Sequence, residues 1–307
     1  MPRDHKLDVR LLSYFHAVAK TRNITHAAKL LNIAQPTLSK ALQQLEHQMG
    51  APLLERNSYG IALTPIGERL SRHAGVVMAQ VKDAVEEVSH LRTGEIGEVR
   101  VGAGPSWVRR KLPEAVARVR LERPSLRLDV VAGFDAPLLE QLARGDLDFV
   151  VAERPLTDDG RAFTYRNLTS DDLVVVAGRD HPLARQKKIP AEAILELTWA
   201  LPPASTLARR KLDGRVISLG FAPPKAAITS SSLTFLMTFA RQSDALLYTT
   251  RSLLESPEGA MLCEIDVPAL ITTREAGLIF RTPGLLPPAA MLLVESLERV
   301  CRDDPYN

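Results

Sequence analysis

Thr25-His26-Ala27-Ala28-Lys29-Leu30-Leu31-Asn32-Ile33-Ala34-Gln35-Pro36-Thr37-Leu38-Ser39-Lys40-Ala41-Leu42 is the stretch on which this sequence turns. Thr25 stands where a helix N-cap belongs, ahead of Ala27, Ala28, Leu30 and Leu31. The short helix it opens stops near Asn32, a residue that tolerates the left-handed turn conformation. After Asn32-Ile33-Ala34, Gln35 precedes Pro36, and proline suits the first helical position because its missing N–H would have no partner there. Leu38, Leu42 and Leu45 then repeat along one face to about Met49, and Gly50 closes the helix. Upstream, residues 8–22 put Leu11, Leu12, Phe15, Val18 and Ala19 on one stripe, the spacing of an amphipathic helix. Two helices joined by a tight turn, the second starting with short polar residues, form a helix-turn-helix whose second helix enters the major groove. Gln35, Thr37, Ser39 and Lys40 are the candidates to face DNA. Glutamine pairs with adenine edges, the hydroxyls donate or accept on either strand, and Lys40 reaches guanine or a phosphate. An ordinary three-helix bundle with a solvated polar face shares this spacing and stays open on the pattern alone.

Two features downstream weigh against the plain bundle. Leu53 to Thr64 reads as two short strands around an Asn/Ser/Gly turn, a hairpin wing. Arg56 lies near its tip, where a guanidinium can enter a minor groove or clamp a phosphate; a solvated turn residue is the alternative. From Pro65 to Arg92 there is no interior proline, and Leu70, Ala74, Val77, Val81, Ala84, Val88 and Leu91 recur at alternating steps of four and three. A helix of that length, roughly 42 Å, with a heptad seam needs a partner, most simply its symmetry mate. The alternative is a helix lying on its own domain.

Composition bounds the rest. At 307 residues, and taking roughly 150 residues per domain, two or three compact units are expected. No apolar run is long enough to span a bilayer, and the N-terminus lacks an apolar signal core, so the expected address is the cytoplasm. Cys263 and Cys301, far apart, fit neither a disulfide framework nor a zinc finger. The net charge of +3 is unevenly placed: residues 1–72 hold ten Lys/Arg against five Asp/Glu, the remainder 29 against 31. The basic end is where a polyanion docks.

Ala27-Ala28, Leu30-Leu31, Ala34 to Leu42 and Leu45-Glu46, followed by Gly50, Pro52 to Arg56, Leu63-Thr64 and Gly67, resemble the N-terminal signature of the LysR-type transcriptional regulators. Carried over by position, the family's DNA contacts fall on Gln35, Pro36, Ser39, Lys40 and Arg56, with Thr37 added on the geometry above and Thr25, at the start of the preceding helix, a further candidate. Lys40 stands where arginine is also frequent, and only arginine offers a planar fork for guanine. The resemblance implies an α/β protein overall. Its parts are an all-α winged helix-turn-helix (1–64), a linker dimerisation helix (65–92) and a two-lobed, periplasmic-binding-protein-like effector domain (93–307). Lobe one takes about 97–160 and 275–302, lobe two about 161–274. The implied partners are operator DNA, a small-molecule effector with organic anions among the candidates, further copies of the chain as a dimer of dimers, and RNA polymerase.

In the effector region, strand, turn and helix repeat: strands at Glu98–Ala103, Leu126–Ala132 and Asp148–Ala152 alternate with helices, as βαβ units on a parallel sheet. Further strands are expected at 173–178, 225–229 and 245–249, helices at 204–219, 232–242 and 288–302, with the lobes joined near 155–168 and 273–280. Ligands of such sheets sit beyond the carboxyl ends of strands, near helix N-termini. The candidates are Pro105, Ser106, Trp107, Phe134, Arg154, Ser205, Thr206, Ser231 and Ser232. Each serine is equally readable as a helix cap, Trp107 and Phe134 as core, and Arg154 as an inter-lobe salt bridge. An enzyme fits less well. Gly102-Ala103-Gly104 lacks the third glycine of a dinucleotide loop, where Trp107 stands, and His181 is the one histidine beyond residue 92. No catalytic set, metal site or cofactor is expected. A small-molecule-binding protein without operator binding is the remaining alternative, and it leaves the basic head unexplained.

Overall fold

The computed structural model describes residues 7–57, 60–93, 97–155, 163–282 and 286–303, and the chain divides into two compact units. The first opens with α1 (Val9–Thr21), α2 (Ile24–Leu30) and α3 (Gln35–Met49). Asp8 caps α1 by accepting the N–H of Arg10 at 2.8 Å, and Leu11, Leu12, Phe15, Val18 and Ala19 are all buried as the stripe predicts. The cap of α2 is Asn23, which accepts the N–H of His26 at 2.9 Å. Thr25 is therefore not a cap but an exposed residue of the first helical turn. Asparagine caps at least as well as threonine, so the start lies earlier than expected. Helix α3 likewise begins one residue early, with Ala34 as its cap and Pro36 inside its first turn. Asn32 at φ 53° and Gly50 at φ 68° make the left-handed turns that end α2 and α3. Leu38, Ala41, Leu42 and Leu45 join α1 and α2 in one core, whereas Leu30 is 65% exposed and does not.

Strands β1 (Leu54–Asn57) and β2 (Gly60–Leu63) pair antiparallel, Leu54 opposite Leu63 and Arg56 opposite Ile61; the tip between them lies outside the described residues. Helix α4 (Pro65–Thr93) follows. Thr64 fastens its start: its Oγ1 accepts the N–H of Gly67 at 3.0 Å and donates to the Pro52 carbonyl at 2.8 Å. The first turn of α4 lies so close to Leu53 that a Cβ on Gly67 would stand 2.0 Å from the Leu53 carbonyl oxygen. Of the heptad positions, Ala74 is buried in the head's core and Val77, Val81 and Ala84 are exposed. The side chains of Val88 and Leu91 fall outside the described residues.

In the second unit, β3 (Glu98–Ala103) runs parallel to both β4 (Arg127–Ala132) and β5 (Phe149–Glu153). Helix α5 (Lys111–Glu122) connects the first pair, and α6 (Asp135–Arg144) leads from β4 to β5. The parallel sheet read from the sequence is only this part of the whole. The segments in which the lobe connections are expected run largely as strands: β6 (Phe163–Gly178) and, near the end of the unit, β11 (Thr272–Arg281). They pair antiparallel with each other along Thr272↔Leu173 to Arg281↔Phe163, and β11 also pairs antiparallel with β5. The polar run 163–170 is held there by ladder hydrogen bonds rather than by burial, which is why its sequence reads as a loop. Where β11 crosses β6 the ladder bulges at Ala276/Gly277, and a Cβ on Gly277 would lie 2.1 Å from the Arg166 carbonyl oxygen.

Lobe two is completed by β7 (Trp199–Leu201), α7 (Leu207–Ser218), β8 (Ala226–Thr229), α8 (Leu233–Gln242), β9 (Leu247–Thr250) and β10 (Leu262–Glu264). Alternation along β6 sorts its core: Leu173, Val175 and Ala177 pack with Trp199, Leu212 and Tyr248, while Val174 and Val176 pack with Leu236, Met237 and Leu247. In lobe one α5 and α9 (Pro288–Arg302) cover Val99, Val101 and Phe149. Helix α6 covers the opposite face through Leu138 and Leu142.

Candidate functional site

On the first unit, the start of α3 is an exposed polar face over an apolar one. Gln35, Pro36, Thr37 and Lys40 are exposed and Ser39 is half-buried, while Leu38 between them is fully buried. Gln35 Nε2 donates to Ser39 Oγ at 3.4 Å, a long bond that a base edge can replace. Thr25 adds an exposed hydroxyl on α2. Arg56 sits on β1, opposite Ile61 and one residue before the end of the strand; its side chain is outside the described residues. The head thus brings together short polar groups of base-reading size on the first turns of one helix, around the exposed ring of Pro36.

In the second unit, a cleft of about 580 Å³, the space open to solvent at its mouth included, lies where strand ends and helix starts meet. The β3–α5 turn gives Gly104, Pro105 and Ser106, and the β4–α6 turn gives Phe134 and Asp135. Lobe two adds Pro202, Thr206, Leu233, Leu247 and the run Tyr248-Thr249-Thr250, while Glu153 ends β5 and Arg274 comes from β11. Thr206 is also the cap of α7: its Oγ1 accepts the N–H of Arg209 at 3.4 Å and donates to the Pro203 carbonyl at 2.8 Å. Four of the expected effector residues, Pro105, Ser106, Phe134 and Thr206, therefore share one cleft.

Five others do not line it. Trp107 is buried among Leu112, Phe149 and Leu293 in the lobe-one core. Arg154, with a side chain 61% exposed, pairs with Glu275 at 3.0 Å and lies over the Tyr165 ring. Ser205 and Ser231 are exposed, and Ser232 is the cap of α8, accepting the N–H of Phe235 at 3.2 Å.

Of the charged members of the cleft, Arg274 and Asp135 are ones that sequence reasoning passed over, whereas Glu153 lies in a strand-end loop, Glu153-Arg154, that it pointed to. Arg274 and Glu153 are both buried. Arg274 Nη2 donates to Ser106 Oγ at 2.9 Å, and its nearest carboxylate oxygen, on Asp171, is 3.8 Å away. Lys211 Nζ lies 2.8 Å from Glu153 Oε1, in a geometry that leaves this oxygen without a hydrogen-bond donor. Asp135 accepts the backbone N–H of Leu207 at 3.4 Å. Burial pushes its carboxyl pKa up from the usual carboxylate value, and the neighbouring Glu153 charge adds to the rise. Burial pushes the Tyr248 hydroxyl up to about 12; that hydroxyl donates to the Leu270 carbonyl at 2.8 Å. The available signals were slight: an aspartate opening α6 looks like an ordinary helix-start residue, and Arg274 sits in a polar run read as a connection. Among the described residues, no group of His, Cys, Asp and Glu is arranged to hold a metal ion.

A helix-turn-helix with a hairpin wing and a two-lobed α/β body with a largely apolar cleft holding a few buried polar groups define a regulator that binds DNA and senses a small molecule. The chain belongs to the LysR family: residues 9–68 match the bacterial regulatory helix-turn-helix protein, lysR family, and residues 92–302 the LysR substrate binding domain. It is a LysR-type DNA-binding transcriptional regulator, in a family of regulators and not enzymes. It is 31% identical over 243 residues to the HTH-type transcriptional regulator PcaQ of Agrobacterium fabrum, covering 79% of this chain and 78% of that one. To the HTH-type transcriptional regulator GbpR of Azospirillum brasilense it is 28% identical, over 83% of this chain and 75% of that one. In fold it is similar to a full-length variant of OxyR from Pseudomonas aeruginosa, with a TM-score of 0.68 at 20% identity over 98% of this chain and 96% of that one. No helix among the described residues is long and apolar enough to cross a membrane.

Proposed function

We propose that this regulator reads its operator through Gln35, Pro36, Thr37, Ser39 and Lys40 on α3, helped by Thr25 and by Arg56 of the wing. A small organic molecule filling the 104–106, 134–135, 206 and 248–250 cleft sets its activity. The observation that carries the DNA half is the sidedness of α3, polar and exposed at 35–37 and 40 over a fully buried Leu38. The boundaries follow the elements: a reading head to residue 64, a linker helix from 65, and an effector domain beyond it. Paired heads come from α4, whose Val77 and Val81 keep the heptad spacing while exposed on the single chain. Such a seam supports a dimer, and dimers paired again a tetramer spanning half-sites one or more helical turns apart. The protein works in the cytoplasm, with RNA polymerase the further partner that activation requires. Effector binding shifts the population of DNA-bound states rather than performing chemistry.

A footprint of the purified protein on the DNA upstream of its own gene, at two salt concentrations, tests this reading. A protected, dyad-symmetric site weakened by salt and lost in Lys40→Ala is the expected result. Protection unchanged by salt and by that substitution would overturn the assignment of the reading face.

A further inference from the structure

The effector cleft is lined by buried polar atoms that the protein itself leaves unsatisfied, donors and acceptors both among them. Arg274 Nε and Thr250 Oγ1 have no hydrogen-bond partner, although Arg274 is 8% and Thr250 4% exposed. Glu153 Oε1, on a residue 6% exposed, also lacks a donor despite its ion pair with Lys211. Buried polar atoms in folded proteins are nearly always paired, so unpaired ones gathered around one cavity mark groups that a bound molecule completes. Ser106, Thr250 and Arg274 offer donors. Glu153 and Asp135 offer acceptors; the Asp135 carboxylate takes backbone N–H groups, that of Leu207 among them, and the Arg274 charge offsets only part of the rise in its pKa. Pro105, Phe134, Leu173, Leu233, Leu247 and Leu253 add apolar surface to the same cleft.

We propose that the cleft takes a bipolar molecule: an organic acid whose carboxylate meets Arg274, Ser106 and Thr250, and whose other end presents a hydroxyl or ammonium donor to Asp135 and Glu153, across an apolar frame. This rests on the cleft being the effector site, and it narrows the organic anion suggested by the sequence to acids carrying a second, donating group. A bare carboxylic acid would satisfy Arg274 and leave Glu153 Oε1 without a hydrogen-bond donor. A bare amine would do the reverse. Either way a desolvated group stays unpaired, and such mismatches discriminate far more strongly than a missing methylene does.

The test is calorimetric titration of the full chain with two probe sets of different frame. One set is benzoate, para-hydroxybenzoate and para-(aminomethyl)benzoate. The other is pentanoate with its omega-hydroxy and omega-amino derivatives. In at least one set, a donor-bearing acid binds about tenfold or more tightly than the bare acid, a difference of about 1.4 kcal/mol. Asp135→Asn, which keeps an acceptor for the Leu207 N–H, closes the gap for the ammonium probe, and Arg274→Met removes the dependence on the carboxylate. Bare acids binding as tightly as their derivatives, a gap that survives Asp135→Asn, or no binding by any probe would overturn the bipolar assignment. A separate variant, Ala208→Leu, reduces the cleft volume. Binding lost in it without any donor preference refutes only the bipolar ligand, whereas binding unchanged in all three variants refutes the cleft as the effector site.

Discussion

Glu46 Oε1 accepts the backbone N–H of Leu53 at 2.8 Å and, with the same oxygen, that of Leu54 at 3.1 Å. Glu46 lies in the last turns of the recognition helix, and Leu53-Leu54 is where the wing begins. One carboxylate thus fixes the angle at which the hairpin leaves the helix and satisfies two donors that have no strand partner there. Glu46→Ala is expected to destabilise the head by about 2 kcal/mol. It should also weaken operator binding more than it weakens binding to random duplex, because the wing loses its register on the helix. Chemical denaturation together with competition binding checks both; an unchanged specificity ratio would count against the bracing role.

Gly67 is the residue that lets α4 start beside the Leu53 carbonyl. Because a Cβ there would stand 2.0 Å from that oxygen, Gly67→Ala must move backbone rather than a flexible side chain. A loss of about 3 kcal/mol is expected, read as a lower urea midpoint with an unchanged slope.

Lys40 is exposed, so its removal tests recognition without disturbing the core. Lys40→Ala should leave Tm unchanged and lower operator affinity by about 1–3 kcal/mol if the amine reads a base. If it meets only a phosphate, the loss will be uniform across sequences and the salt slope will fall by about 1. Gln35→Ala should relax base preference at one position without changing that slope.

The seam of α4 gives a prediction about assembly. Val81, 41% exposed on the single chain, becomes interface in a dimer, so Val81→Glu should lower the sedimentation mass and abolish cooperative protection of paired half-sites. A variant that stays fully dimeric would place the contact elsewhere.

Asp135 makes stability depend on pH in a direction opposite to that of an ordinary paired carboxylate. Its folded-state pKa is raised, so folding favours its protonated form. The stability this contributes is present at acid pH and lost as pH rises through the raised value. Asp135→Asn should therefore be more stable than the parent protein at neutral pH, and the two melting curves should converge on acidification. Asp172 works the other way: its hydrogen bond from Thr273 and the Arg251 guanidinium lower its pKa. That contribution holds above the unfolded value and fades as pH falls through the depressed one, so the comparison must be variant against parent at each pH.

Periodicity made the head legible because burial and hydrogen bonding agree there. The apolar stripe of α1, the buried Leu38 and Leu42 of α3, the left-handed Asn32 and Gly50 and the hairpin each follow from local rules. The start of α2 did not, since Asn23 and Thr25 are both competent caps and only tertiary packing chooses between them. In the effector region the buried strands β3 and β5 showed themselves as apolar runs. The polar half of β6 and the Thr272–Glu275 segment of β11 did not, because backbone ladders rather than side-chain burial hold them in the sheet. The same blindness hid Arg274. The turns at 104–106 and 134 and the hydroxyl at 206 were legible as strand-end and helix-start positions, yet nothing local separates Thr206, which lines the cleft, from Ser232, which only caps a helix.

The two long strands β6 and β11 carry a last consequence. Their pairing runs from Thr272 against Leu173 to Arg281 against Phe163 and is made of backbone bonds that do not depend on side-chain identity, yet β11 supplies Arg274 and β6 supplies Leu173 to the cleft. Most of the other lining side chains come from turns, helix starts and strand ends. Substitution at Ser106, Phe134 or Thr250 can therefore change the lining of the cleft without breaking a bond of that ladder, whereas a change at Gly277, whose missing Cβ leaves room for the Arg166 carbonyl, would disturb the frame itself.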